Sequence, residues 1–366
     1  MVPNDSDLER DDVELLRGTA LQAGLDPRLT PEDLGVRLDS ADDLLARLQE
    51  RPDDELGVRR TRRFAILAAA SIAASAALVL GVLQPWQTPP AAADTPPVLD
   101  YEFASAQNIA YAPGKDPLSA LRELSTAAQA FRDPGGDGDI QHVVTDSWFG
   151  SIGDDEGANE IDLIPTVNET WLSPDGSFRL IERTGRHLTA DGRGVVKQGI
   201  ENRPTKADET QPADSIDPTL LSSLPEDPAR LRPALLKATE CDDQPAGNQR
   251  ALCLFSRVEE YNSTYAVPTR VTAALWDLIA DQGATRLLGE VKDRAGRPGI
   301  GISLIPSRRD EFRQVVIASP QTGQVLGFEE ILIKTIPDLD VKAPAITRFT
   351  AFLTSERVDQ AGPAAP

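Results

Sequence analysis

Residues 285–333 read TRLLGEVKDRAGRPGIGISLIPSRRDEFRQVVIASPQTGQVLGFEEILI, and this stretch decides the fold of the larger part of the chain. Short runs rich in Val, Ile, Leu and Phe alternate with clusters of Pro, Gly, Asp and Gln. The runs read as strands, because branched and aromatic side chains suit a pleated, half-buried surface. The clusters read as turns, because Gly admits positive φ and Pro presets the first turn position. Thr285 to Lys292 turns through Asp293-Arg-Ala-Gly-Arg-Pro-Gly into Ile300 to Ile305. Phe312 to Ser319 then turns through Pro320-Gln-Thr-Gly-Gln into Val325 to Ile333. Successive short connections of this kind predict an antiparallel meander.

Working outward, Ala345 to Thr354 is expected as a last strand that closes one edge of the sheet. Asn168 to Leu172, Ser173-Pro-Asp-Gly and Ser177 to Thr184 read as a hairpin with Trp171 and Phe178 as core or face residues. Two helices are marked by their ends. Asp116-Pro117 opens one that carries Leu118, Leu121, Leu124 and Ala128 to Phe131. Pro268 to Asp281 carries Val271, Leu275, Leu278 and Ile279 on one stripe and stops at Gly283. The polar stretch from Gly185 to Asp217 reads as a loop or a weak strand pair. Strands outnumber helices, so residues 101–358 are expected to form an α+β domain on a curved antiparallel sheet, with 359–366 a disordered tail.

Upstream, Phe64 to Leu83 is FAILAAASIAASAALVLGVL, 20 residues without a charge. At about 1.5 Å per residue this matches a hydrocarbon core of ~30 Å. Arg59, Arg60, Arg62 and Arg63 stand just before it, and no Lys or Arg follows until Lys115. The positive-inside rule therefore places the N-terminus in the cytoplasm and the C-terminal domain outside the cell membrane. Pro85 ends the span and Trp86 suits the interface. Ala91 to Ala93 resembles a cleavage site, but signal peptides carry an apolar core of ~7 to 15 residues close to the start of the chain. The expectation is a retained single-pass helix: a basic stop and span over 59–83, then a Pro/Ala linker over 84–100.

Residues 1–58 hold sixteen Asp and Glu against six Arg. Val13, Leu15 and Leu16 follow acidic residues at a helix start. Thr30-Pro31-Glu32-Asp33 has the form of another start, and Ser40 caps a third segment with Leu44, Leu45 and Leu48 on one face. So small a segment has little core of its own. It is either a solvated acidic tail or a set of short helices that dock on a cytoplasmic partner.

The whole chain has 37 Lys and Arg against 58 Asp and Glu, a net charge of −21. Such a surface repels phosphate backbones, so nucleic acid is not an expected partner. The two histidines, His142 and His187, are 45 positions apart without Cys neighbours and predict no metal site. Gly135 to Asp139 reads as a flexible loop and Asp154 to Glu156 as a solvated acidic one, without the spacing of a Ca²⁺ loop. No nucleophile elbow, phosphate loop or H-E-x-x-H occurs, so neither an enzyme nor a cofactor is expected.

The stretches RLLGEVKDRAGRPGIGISL and VVIASPQTGQVLGFEEIL, together with NETWLSPDGSFRLIERTG at 168–185 and FTAFLTSERVD at 349–359, resemble a family of actinobacterial single-pass membrane proteins. The likeness covers about two thirds of the chain and rests on turn and strand patterns. Its layout is similar to that of membrane anti-sigma factors, which implies a helical sigma-binding segment inside and a sensory domain outside. The His-x3-Cys-x2-Cys zinc signature of one anti-sigma subgroup is absent, so sigma binding would be metal-free. A further resemblance, to the open-barrel lipoprotein-carrier fold, implies instead a sheet wrapped around an apolar groove. Two functions are therefore expected in turn: a membrane-anchored regulator or sensor whose external domain takes a ligand or partner, or an envelope-associated carrier of an apolar ligand.

Cys241 and Cys253 are the only cysteines and both fall on the side assigned to the outside. An oxidising compartment, an even count and a turn-rich separation predict a Cys241 to Cys253 bridge that pins the polar loop from Asp242 to Arg250 against a strand. The spacing is not C-x-x-C, so the expected role is structural.

Overall fold

The chain divides into two units, and the computed structural model describes the second, Trp86–Pro366. The described residues are 95–132, 135–152, 161–186, 192, 194–195, 199–306, 310–336 and 341–362. The span expected at 64–83, the helical segments expected within 1–58 and the acidic loop expected at 154–156 lie outside them. Among the described residues no helix is long and apolar enough to cross a membrane.

The domain is one open sheet of nine strands with four α-helices among the described residues. The strands are β1 (Ile140–Ile152), β2 (Ile161–Leu172), β3 (Phe178–Thr184), β4 (Thr205–Gln211), β5 (Thr285–Lys292), β6 (Pro298–Leu304), β7 (Phe312–Ala318), β8 (Val325–Leu332) and β9 (Ala345–Val358). The helices are α1 (Leu118–Ala130), α2 (Pro228–Ala238), α3 (Asn248–Thr264) and α4 (Thr269–Gln282). Spatial order is β4-β3-β2-β1-β9-β8-β7-β6-β5, and all neighbours are antiparallel. Two four-stranded meanders thus meet across the last strand. The two hairpins read from residues 285–333 are β5–β6 and β7–β8, with Lys292 paired to Pro298 and Ala318 to Val325.

The last strand does not close an edge. It lies at the centre, between β1 and β8. Its composition explains this: Phe349 and Ala351 are buried on one face while Thr350 and Phe352 are buried on the other. A strand that is covered on both faces belongs inside a sheet, where its ladder groups are also paired on both sides. The polar stretch 185–217 contains β4, which pairs with β3 and forms the far edge.

One face of the sheet is covered by the helices. Leu121 and Leu124 of α1, Leu254, Phe255, Val258 and Tyr261 of α3, and Trp276 and Ile279 of α4 form one core with Ile302, Val316 and Phe328. Helix α1 ends against the β7–β8 turn at Gly323, whose φ is +65°. A Cβ there would stand 2.3 Å from the Leu124 carbonyl oxygen, and the Gly323 carbonyl accepts the Trp276 indole N–H at 2.7 Å. The glycine of that turn therefore serves both the backbone and the close approach of α1.

Helices α2 and α3 are absent from the sequence expectations, yet their signals are present. Asp227-Pro228 repeats the Asp-Pro start of α1, and the Asp227 side chain accepts from the Arg230 amide. Leu254, Phe255, Val258 and Tyr261 follow helical spacing. Cys253 accordingly lies on α3 rather than in a strand.

A candidate site beneath an N-terminal strap

Residues 97–115, which lead into α1, form a strap on the sheet face opposite the helices. Val98, Leu99, Tyr101, Ile109 and Ala112 pack there on Leu288, Val315, Ile317, Ile331 and Phe349. The strap also covers the outer edge of β5. The Glu102 and Phe103 amides donate to Glu290 and Leu288, and Lys115 and Leu287 exchange both of their hydrogen bonds. An edge strand left bare is a template for foreign strands, and here the chain itself supplies the partner.

Beneath the strap lie charges. Arg294 Nε donates to Glu329 Oε1 at 2.7 Å, with the two side chains 2% and 1% exposed. The other carboxylate oxygen accepts the Tyr101 hydroxyl at 3.0 Å. Arg294 Nη1 donates to the carbonyls of Pro97 and Gly192, at 3.0 and 2.9 Å. Its guanidinium lies 5.0 Å from the centre of the Phe349 ring. Burial, followed by the neighbouring Glu329 charge, pushes the Tyr101 phenol well above its usual range. Tyr101 fits because its ring lies flat where position 301 is glycine: a Cβ there would stand 2.6 Å from the ring.

A second buried guanidinium, Arg313, holds the other end of the strap. Its Nη1 donates to the carbonyls of Ile109 and Ala112 at 2.5 and 3.2 Å, and Nε and Nη2 both donate to Ser303 Oγ. Burial lowers its pKa to about 10. The strap is therefore tied at Pro97, Tyr101, Ile109 and Ala112 to groups whose withdrawal from water costs several kcal/mol per charge. The β5–β6 turn is tied in the same way: Arg297 pairs with Asp293 and donates to Phe352 and Leu326 carbonyls on β9 and β8.

On the helix face, Glu259 of α3 meets Arg348 of β9 at 3.1 Å and accepts from Thr350 at 3.3 Å. Arg348 also reaches Glu330 at 3.7 Å. Burial raises the Glu259 pKa despite the arginine. This cluster joins helix to sheet on the face opposite the strap.

Cys241 and Cys253 are bridged, with Cα atoms 5.8 Å apart. The bridge links the segment after α2 to α3, so the loop that follows Cys241 is pinned against a helix where the sequence predicted a strand. Arg250 completes that fixation by donating to the carbonyls of Cys241, Asp242 and Gln244. His142 stacks on Trp171 with ring centres 5.0 Å apart and its Nδ1 lies 3.0 Å from Glu356, while its Nε2 is buried without a partner among the described residues. His187 is outside the described residues. Among the described residues no group of three or more His, Cys, Asp or Glu side chains is placed to hold a metal ion.

No protein-family model matches the chain, and no curated protein matches it. Among solved structures it is similar to MucB in complex with MucA(peri), at 15% identity over 68% of this chain and 57% of that one, with a TM-score of 0.23. The Pseudomonas aeruginosa MucA/MucB complex is 14% identical over 68% of this chain and 61% of that one, with a TM-score of 0.24. MucB alone is 15% identical over 69% and 62%, with a TM-score of 0.21. The chain thus spans less than two thirds of the length of these relatives, and overlaps this loose carry no argument about function.

Proposed function

We propose that the protein is a membrane-anchored, non-enzymatic regulator. The described domain acts outside the membrane on a ligand or partner, and the acidic segment 1–58 holds a cytoplasmic protein such as a sigma factor. The observation that carries this reading is the strap. An inert anchor needs only a linker that leaves the domain's core alone, as residues 84–100 were expected to be. Here the chain arriving from the N-terminal side is itself core: lifting 97–112 would take the Pro97 carbonyl from Arg294, the Tyr101 hydroxyl from Glu329 and the Ile109 and Ala112 carbonyls from Arg313. An event on the sheet and the position of the incoming chain therefore share one free energy. The Cys241–Cys253 bridge supports an oxidising compartment for this domain. The carrier alternative needs a vacant apolar face, whereas the β5–β9 half of the sheet is covered on both faces by the chain's own side chains.

Affinity capture tests the reading. The full chain should recover a cytoplasmic protein that the chain lacking residues 1–58 does not. Recovery of lipid in place of any protein would favour the carrier. A reporter active only outside the membrane should work when fused after Pro366 and be silent after Arg51, and the reverse would refute the orientation.

A further inference from the structure

We propose that the part of the strap from Pro97 to Phe103 is a built-in occupant of a peptide site, and that an extended, tyrosine-bearing segment of a protein partner takes its place. This rests on the regulator reading for the existence of an external partner, and it names where on the domain that partner binds. The site is a slot in the sheet. Gly289 of β5 and Gly301 of β6 are register partners. A Cβ on Gly289 would stand 2.6 Å from the Glu102 Cβ, and one on Gly301 would stand 2.6 Å from the Tyr101 ring. Two facing glycines remove the side chains that would keep a second backbone away from the strands. Beside the slot, the Glu290 and Leu288 carbonyls of the β5 edge accept the Glu102 and Phe103 amides. At its floor Glu329 accepts the Tyr101 hydroxyl, and Arg294 donates to the Pro97 carbonyl.

The polar contacts that hold this part of the strap are mostly main chain. Pro97, Glu102 and Phe103 contribute backbone groups that every extended segment carries. The side-chain share is the Tyr101 hydroxyl and a 3.4 Å contact from the Glu290 amide to the Glu102 carboxylate. A site that asks for one aromatic hydroxyl and otherwise for backbone has the chemistry of strand addition to a sheet edge. The strap also fills the slot incompletely. Arg294 is only 2% exposed at its side chain, yet its Nη2 is buried and has no acceptor among the described residues. A desolvated donor of this kind costs free energy until an acceptor arrives, and an incoming segment can bring one. Nor does the strap pair as a strand: its one bridge to β5 is that of Lys115 with Leu287. A segment that runs straight along the edge offers a regular ladder in exchange for an irregular one.

The experiment titrates a fluorescent peptide of residues 95–115 into the detergent-solubilised full chain and reads anisotropy. In the wild type the tethered strap competes, so the peptide should bind weakly. Leu99→Ala and Tyr101→Phe weaken the strap and leave the slot intact, and Tyr101→Phe keeps the ring and with it the fold. Each variant should bind the wild-type peptide at least about tenfold more tightly than the wild type does, because apparent affinity follows the fraction of molecules whose site is open. On the Leu99→Ala chain, a peptide carrying Tyr101→Phe should bind at least about tenfold more weakly, since it lacks a hydrogen bond to a charged acceptor. No saturable binding to either variant, equal affinity for wild type and variants, or undiminished binding of a peptide in shuffled order would overturn the proposal. A wild-type dimer that added peptide dissolves would give the slot to the strap of a second copy and overturn the assignment to a partner. Capture of a cytoplasmic protein through residues 1–58 is read separately. Failure of the peptide with that capture intact would strike this site alone, and loss of the capture with the peptide still bound would strike the regulator reading alone.

Discussion

Arg294 and Glu329 meet at 2.7 Å with their side chains only 2% and 1% exposed, and Tyr101, from a segment 228 positions away from Glu329, closes the second carboxylate oxygen. Removing one member leaves the other as an uncompensated buried charge. Arg294→Met or Glu329→Leu alone should therefore destabilise the domain by about 3–5 kcal/mol, read as a lower urea midpoint. The double variant should recover most of that loss, because apolar groups of similar volume need no partner. Single variants within about 1 kcal/mol of wild type would show that water reaches the pair.

The strap should open without global unfolding when its own contacts are cut. Tyr101→Phe removes a hydrogen bond to a charged acceptor worth about 1.5–3 kcal/mol while keeping the ring on Gly301. Amide exchange should accelerate across the strap and remain slow in β7, β8 and β9, whose ladders are paired on both sides. Uniform acceleration across the sheet would mean that strap and sheet open as one unit.

Stability should fall at alkaline pH, and one group can be followed. Burial, with smaller help from Glu260, raises the Tyr261 pKa from 10.0 to about 12. The folded state keeps this proton over a range in which the unfolded chain has lost it. The contribution is fully present below the unfolded value and disappears as pH climbs from about 10 through about 12. Tyr261→Phe should be destabilising at neutral pH, where the phenol donates to the Ala238 carbonyl, and the variant has no group there to titrate at alkaline pH. The gap between variant and wild type should thus narrow or reverse as pH rises. A gap independent of pH would show that the phenol titrates normally.

Loss of the disulfide should cost about 3 kcal/mol in the chain-entropy model for so short a loop. Cys241→Ser/Cys253→Ser should melt at a lower temperature, and reduction of the wild type should reproduce the shift. Peptide mapping of protein from the envelope should find the two cysteines linked. Two alkylatable thiols would remove the bridge and the support it lends to an oxidising location.

The elements that the residues declare by themselves are those whose cause is local. The two hairpins of 285–333 follow from alternation and turn chemistry spanning a few residues, and the ends of α1 and α4 from Asp116-Pro117, Pro268 and Gly283. The turn at Gly323 was legible as a turn. That it also receives α1 and Trp276 was not, because those contacts come from distant parts of the chain. Helices α2 and α3 carried readable signals in Asp227-Pro228 and in the spacing from Leu254 to Tyr261. The cysteine pairing also followed from count and spacing, although the element bearing Cys253 did not.

Tertiary structure alone decided where β9 lies and which charges are buried. Phe349 to Phe352 is compatible with an edge or a centre until both faces are seen to be covered. Asp293 and Arg294 are turn residues by sequence and would be solvated on a bare hairpin. Arg294 is buried beneath a strap from nearly 200 positions upstream, and Asp293 is buried where Arg297 folds back on it. Arg313 reaches Ile109 across 204 positions. Local pattern specifies an element, since helical and strand periods act within a few residues. Burial of a charge is a property of everything that covers it, and that is settled only when remote segments meet.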